Sequence, residues 1–284
     1  MRRPSLVACV AFATSAGLVT AGCGSTKPAG ATAQTTNAVP TQAAKSALDK
    51  AIASTEASTA LVEVQVVLRK PGASNVLAYR ATGTVTPDRG MLKIDRTSIG
   101  GGIQNEVFTR ADGRLVLYTS PVSLSLPKGK TWLKVDMTKY GRQRYGGDTT
   151  FLAGADQDPL QALRLLRSPV AKVTDVGQDW LPNHTLNHRY NGTVDVLAAA
   201  RATGVTGAGL TKLRTDVGSP TQHIDVWVGK QGKVARVVVQ SPQKTSQGTL
   251  QLKETTDFTG YGTHAAVKTP PAAKTADYFA LTPK

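Results

Sequence analysis

The chain has 284 residues, a formal charge of +15 and two cysteines. Aromatic residues make up only 5%, and the apolar content is mainly Val, Ala and Leu, with much Thr, a composition that favours strands over helices. Lys and Arg are scattered, without a block of like charges, which argues against a nucleic-acid partner and fits either simple solubility or a surface held near an anionic bilayer.

Arg2 and Arg3 open the chain, residues 6–19 are largely apolar, and Thr20-Ala21-Gly22-Cys23 follows. A basic start, an apolar stretch of about 7–15 residues and a small-residue close make a secretory leader. The stretch falls short of the roughly 20 apolar residues that a membrane span needs. The close resembles a lipobox, in which the thiol accepts a diacylglyceryl group, although Thr20 stands where an aliphatic residue is usual. The expectation is a signal peptide over residues 1–22 and lipidation at Cys23, with an ordinary cleaved leader or an uncleaved anchor as alternatives. Cys9 would leave with the leader. Cys23 would then be the lone thiol of an exported chain, which acylation explains. Two acyl chains anchor stably where one is marginal. Residues 24–40 are low-complexity Ser, Thr, Ala, Gly, Pro, Asn and Gln, too poor in apolar surface to fold. Residues 23–40 therefore read as a lipidated terminus and flexible linker, reaching about 20–25 Å.

Residues 41–55 carry Ala44, Ala47, Leu48, Ala51 and Ile52 at helical spacing. Residues 61–70 alternate, with Val62, Val64, Val66 and Leu68 on one face and Glu63 and Gln65 on the other. Pro71-Gly72 opens a turn into a strand over 76–86, and 91–97 is a third. Residues 104–110 and 114–119 flank Ala111-Asp112-Gly113, a hairpin signal, and 131–136 continues the meander. Asp158-Pro159 predicts a helix start over 159–167, with Leu163 and Leu166 on its apolar side, ended by Ser168-Pro169. Strands are expected over 170–176 and 185–190, a helix over 194–203, and a Gly-rich excursion with at most a helical turn over 204–219. A hairpin at 222–228 and 234–240 spans Lys230-Gln231-Gly232, and 249–258 is the last strand. Residues 272–284 read as a C-terminal tail. Roughly ten or eleven antiparallel strands with about three helices make an α+β domain over residues 41–271. A sheet of that size must curl or split, and one strongly curved half-barrel packed over its helices, around an apolar interior, accommodates it.

Short motifs for chemistry are missing. His184, His188, His223 and His264 have no Cys or carboxylate cluster to complete a metal site. There is no nucleophile elbow, Walker loop or dinucleotide fingerprint. Asp156 and Asp158 read as capping residues ahead of a helix rather than an acid–base pair. Trp132, Trp180 and Trp227 read as core. The expectation is a protein that is not an enzyme and needs no cofactor or metal.

An ordered set of segments resembles the LppX/LprAFG family of actinobacterial lipoproteins, related in fold to the lipid carriers LolA and LolB. The set comprises Ala21-Gly22-Cys23 and the linker, the 41–55 helix, Thr131-Trp132-Leu133-Lys134-Val135-Asp136, Asp158-Pro159-Leu160, Val226-Trp227-Val228 with Gly232-Lys233-Val234-Ala235-Arg236, and Phe258-Thr259-Gly260-Tyr261-Gly262. The resemblance implies a half-barrel enclosing a cavity for acyl chains, and a role in binding or carrying lipids or lipoglycans at the extracytoplasmic face of the cell membrane. The partners implied are the membrane, through Cys23, and an acylated lipid, with further envelope proteins open. Val62, Val64, Val66, Leu68, Leu48, Ile52, Leu163 and Leu166 are the candidate cavity lining. The alternative is that they fill a solid core, in a lipid-anchored scaffold without a ligand.

Overall fold

Strict alternation builds the centre of the sheet. In β1 (Ala60–Arg69), Ala60, Val62, Val64, Val66 and Leu68 are buried and the residues between them are exposed or partly so. A strand with one covered face requires that pattern. The structure, a computed structural model, describes residues 40–72, 76–122, 124–245 and 248–281, which lie in one compact unit, Ala38–Lys284. The expected leader, Cys23 and linker residues up to 39 lie outside the described residues.

Two meanders meet at β1. The first runs outward through β2 (Val76–Val85), β3 (Arg89–Asp95), β4 (Ile103–Ala111), β5 (Arg114–Thr119) and β6 (Trp132–Asp136). The second comprises β7 (Ala171–Trp180), β8 (Leu186–Asp195), β9 (Thr221–Val228), β10 (Val234–Thr245) and β11 (Gly248–Thr259). Its last strand pairs antiparallel with the free side of β1, placing Val62 opposite Phe258. The product is one open, curved sheet with helices against it, the α+β half-barrel architecture expected from the sequence. Bulges between Asp175 and Gly177 and between Val234 and Arg236 interrupt the ladder and sharpen the local twist.

Three elements depart from expectation. Among the described residues the sheet has twelve strands, because residues 272–281 are not simply a tail. β12 (Thr275–Asp277) pairs with β6, parallel where the rest is antiparallel. Thr131 N donates to Lys274 O at 2.9 Å, and Ala276 packs on Leu133 and Val135. The folded unit thus extends past residue 271. Secondly, α2 (Met137–Tyr145) follows β6 directly. Asp136 caps it, accepting from Lys139 N at 2.9 Å, and Gly146 ends it. Thirdly, the Gly-rich excursion contains a full helix, α5 (Gly207–Asp216), after α4 (Val196–Ala202). Gly209 makes it fit, since a Cβ there would lie 1.8 Å from Tyr145 O.

α1 (Gln42–Glu56) starts on Thr41, whose hydroxyl accepts from Ala44 N at 3.0 Å, and buries Ala44, Leu48, Ala51 and Ile52. α3 (Gln161–Arg167) buries Leu163, Leu165 and Leu166. Both helices contact β7 and β10. Gly192 of β8 gives Leu166 its seat, because a Cβ there would come within 2.2 Å of the leucine. The short helix α6 (Tyr278–Leu281) follows β12.

Candidate functional site

A concavity opens at the tips of the β7–β8 and β9–β10 hairpins. It is a cleft of about 600 Å³, within the size range of small-molecule sites. Leu186, Val234, Ala235, Phe258 and Tyr261 give it apolar walls, and Trp180 stands at its edge. Asn183, His184, Asn187, Lys230 and Lys233 supply its polar lining. Phe258 and Val234, both buried, also belong to the main core cluster, so the floor of the cleft is the edge of the core.

Local chemistry explains the walls. The β7–β8 turn is held by Leu181 N to Thr185 O, 2.9 Å, with His184 at a left-handed φ of 59°. Asn187 is buried and donates to Thr185 O and Oγ1, both at 2.9 Å. The β9–β10 turn closes through Gly229 N to Lys233 O at 2.8 Å. At the β10 bulge, Val234 N donates to the buried Thr55 Oγ1 of α1 at 2.9 Å, and Tyr261 Oη donates to Val234 O. Burial pushes the Tyr261 hydroxyl up to about 12. Lys233 Nζ sits 4.9 Å over the Tyr261 ring.

A second constellation is polar and inward. Register places Tyr79 beside Val66, Glu254 on its other side, and Glu106 beside Leu92, so all share the sheet's inner face. Asp156, ahead of α3, accepts from Tyr79 Oη at 3.0 Å and from Arg96 Nη2 at 2.8 Å. Arg96 Nη1 also donates to Gln104 Oε1 at 3.0 Å, and Gln104 Nε2 to Glu106 Oε2 at 3.3 Å. Burial, reinforced by the Asp156 charge, pushes Glu106 and Glu254 up to about 8. The same two causes push the Tyr79 hydroxyl up.

Next to it lies a third group. Asp158, fully buried, pairs with Arg110 and, at 2.9 Å, with Arg164. Glu56 of α1 binds Arg164 at 3.1 Å and Arg167 at 2.7 Å. Burial, then the neighbouring Arg164 charge, lowers Arg110 to about 9.

No family model matches this chain, and no curated protein matches it either. Solved structures do. The chain is similar to the lipoprotein LppX of Mycobacterium tuberculosis, with 13% identity over 80% of this chain and 98% of that one, TM-score 0.37. It is similar to LprF of Mycobacterium bovis, with 16% identity over 82% and 99%, TM-score 0.37. It is also similar to a LolA-superfamily protein of Nitrosomonas europaea, with 11% identity over 79% and 94%, TM-score 0.34.

Of the eight candidate lining residues, all but Leu68 belong to the main core cluster. Val64, Ile52, Leu163 and Leu166 are 0% exposed, and Val62, Val66, Leu68 and Leu48 at most 5%. The open cleft is lined by other residues; of these the sequence reading named Trp180 and His184 for other reasons, Lys230 and Gln231 as a hairpin turn, and Lys233, Val234, Ala235, Phe258 and Tyr261 only within the segments that carry the resemblance. Trp180 was expected in the core but is 64% exposed, whereas Trp227 is buried, its Nε1 donating to Asp179 at 3.1 Å. Asp158 does accept from Leu160 N, at 3.3 Å, but Asp156 and Asp158 are chiefly buried ion-pair members rather than caps. The histidines stay apart. His184, His223 and His264 are exposed, and His188 Nε2 lies 2.6 Å from Asp175 Oδ1 in an exposed pair.

Proposed function

We propose that this protein is a membrane-anchored envelope lipoprotein that binds or transfers an acylated lipid and catalyses no reaction. The observation that carries the reading is the cleft. It has apolar walls, rests on the core at Phe258 and Val234, and has the exposed indole of Trp180 at its edge. An acyl chain leaving water gains about 0.8 kcal/mol per methylene, and this is the surface that offers it cover. Lys230 and Lys233 suit a negatively charged head group. A leader over residues 1–22 with lipidation at Cys23, as read from the sequence, is the anchor that such a role needs.

Native mass spectrometry of the Cys23→Ser chain, purified gently, tests the reading without interference from a covalent lipid. A non-covalent adduct of lipid mass is expected. Trp180→Ala should weaken binding of a fluorescent fatty acid by roughly tenfold, about 1.4 kcal/mol, and leave the melting temperature unchanged, because the side chain is mostly exposed. Absence of any adduct, with no fatty-acid binding, rejects it. One observation favours a second reading: the near-zero exposure of the eight inner-face residues suits a lipid-anchored scaffold with a solid core. Protein partners captured equally from lipid-depleted membranes would support it.

A further inference from the structure

A half-barrel that admits a ligand to its inner face needs a part that moves, and residues 151–156 have the right attachments. Phe151, Ala153 and Ala155 pack on the main core cluster. Beyond them come two aspartates in unlike company. Asp158 is matched by two guanidinium groups, those of Arg110 and Arg164. Asp156 has one, that of Arg96.

The titratable groups facing Asp156 come from four places in the sheet: Tyr79 of β2, Arg96 just after β3, Glu106 of β4 and Glu254 of β11. With both glutamates protonated, Asp156 and Arg96 balance. With both ionised, three negative charges, those of buried Glu106 and Asp156 and half-buried Glu254, share one positive partner, and unpaired charge away from water is costly. The polar contacts of the glutamates are weak compensation: Ala155 N to Glu254 Oε2 is 3.5 Å and Gln104 Nε2 to Glu106 Oε2 is 3.3 Å. The strands cannot yield, since β4 and β11 each pair on both sides. The Asp156 segment is held by turn bonds such as Gln157 N to Gly154 O, so it is the part that can give way.

We infer that residues 151–156 are a proton-operated cover on the sheet's inner face, shut while Glu106 and Glu254 hold their protons and released at the Asp156 end when they ionise. Asp158, neutralised by its two arginines, stays docked and serves as the hinge. Burial and the Asp156 charge set the transition near pH 8. The inference rests on the lipid-binding reading only for its purpose; the motion itself needs no ligand.

Hydrogen–deuterium exchange of the whole protein at pH 6.5 and pH 9, corrected for the intrinsic chemical rate, tests it. Amides of 151–157 should exchange about tenfold faster at the higher pH while those of β1 and β11 stay protected. In the E106Q/E254Q variant the segment should stay slow at both values. Equal protection of the native segment at both pH values, or the same acceleration in the double variant, overturns the inference. Should that variant not fold, Asp156→Asn serves, and an undiminished acceleration there has the same force. Uptake of a pyrene-labelled fatty acid, followed in parallel, separates the two ideas. Faster exchange without uptake overturns the lipid reading and leaves the cover; uptake without pH-dependent exchange does the reverse.

Discussion

Single side chains decide where this molecule is closed and where it is open. Thr55 is the clearest case. Its hydroxyl donates to Ala51 O at 2.9 Å within α1 and accepts from Val234 N at 2.9 Å across the interior. That second bond satisfies a backbone N–H which the β10 bulge removes from the ladder. Thr55→Val preserves shape and volume but orphans the Val234 N–H, at a cost of about 1–3 kcal/mol. Urea unfolding should show that loss, and Thr55→Ser should recover most of it. Val234 lines the cleft, so fatty-acid binding should weaken as well. Equal stability of the Val and Thr forms would show that water or a shifted strand satisfies the bulge. Little of this was legible in the sequence. A helical Thr at the end of an apolar stripe carries no mark of a partner in a strand far along the chain.

At the scale of elements, legibility follows periodicity and length. β1 announces itself because Val62, Val64, Val66 and Leu68 alternate over a ten-residue strand. α1 does so through a repeated apolar stripe. α2 hides because its sequence is mostly polar and contains Gly141, a poor helix former; Asp136 and Gly146 define it by its caps. α5 hides behind two glycines, one of which is required by the approach to Tyr145. β12 has three residues, too few to show a period of two. It nevertheless covers the β6 edge, and exposed edges invite pairing with other chains. Truncation after Pro271 should cost roughly 1–3 kcal/mol, at about 2–4 °C of melting temperature per kcal/mol, and should promote association. Scanning calorimetry with light scattering measures both, and an unchanged melting temperature would show that β12 only rests on the sheet.

For the whole molecule the decisive quantity is charge inside the half-barrel. No residue pattern warns of it, since Glu106 and Glu254 stand in ordinary strands and reveal their inward aim only through register with Leu92 and Val66. Their raised values fix the sign of a pH effect. A carboxyl raised in the folded state gives stability that is complete below its unfolded value of about 4.3 and is lost as pH climbs through its folded value, here about 8 for both. Asp136 and Asp216 work in the opposite sense. Burial opposes their ionisation, but hydrogen bonds from Lys139 N–H and Arg114, and from Arg144 and Tyr145, prevail and hold both low. Their contribution is present above about pH 3.9 and lost in acid. Between pH 5 and pH 9 the glutamates therefore dominate. Urea midpoints of the native protein should fall relative to those of the E106Q/E254Q variant, with a slope of up to about 1.4 kcal/mol per pH unit for Glu106 and a smaller one for the half-buried Glu254. The slope should flatten above about pH 8, because both carboxyls are then ionised in the folded as in the unfolded state. Parallel curves for the two proteins would show that both carboxyls are already solvated in the folded state.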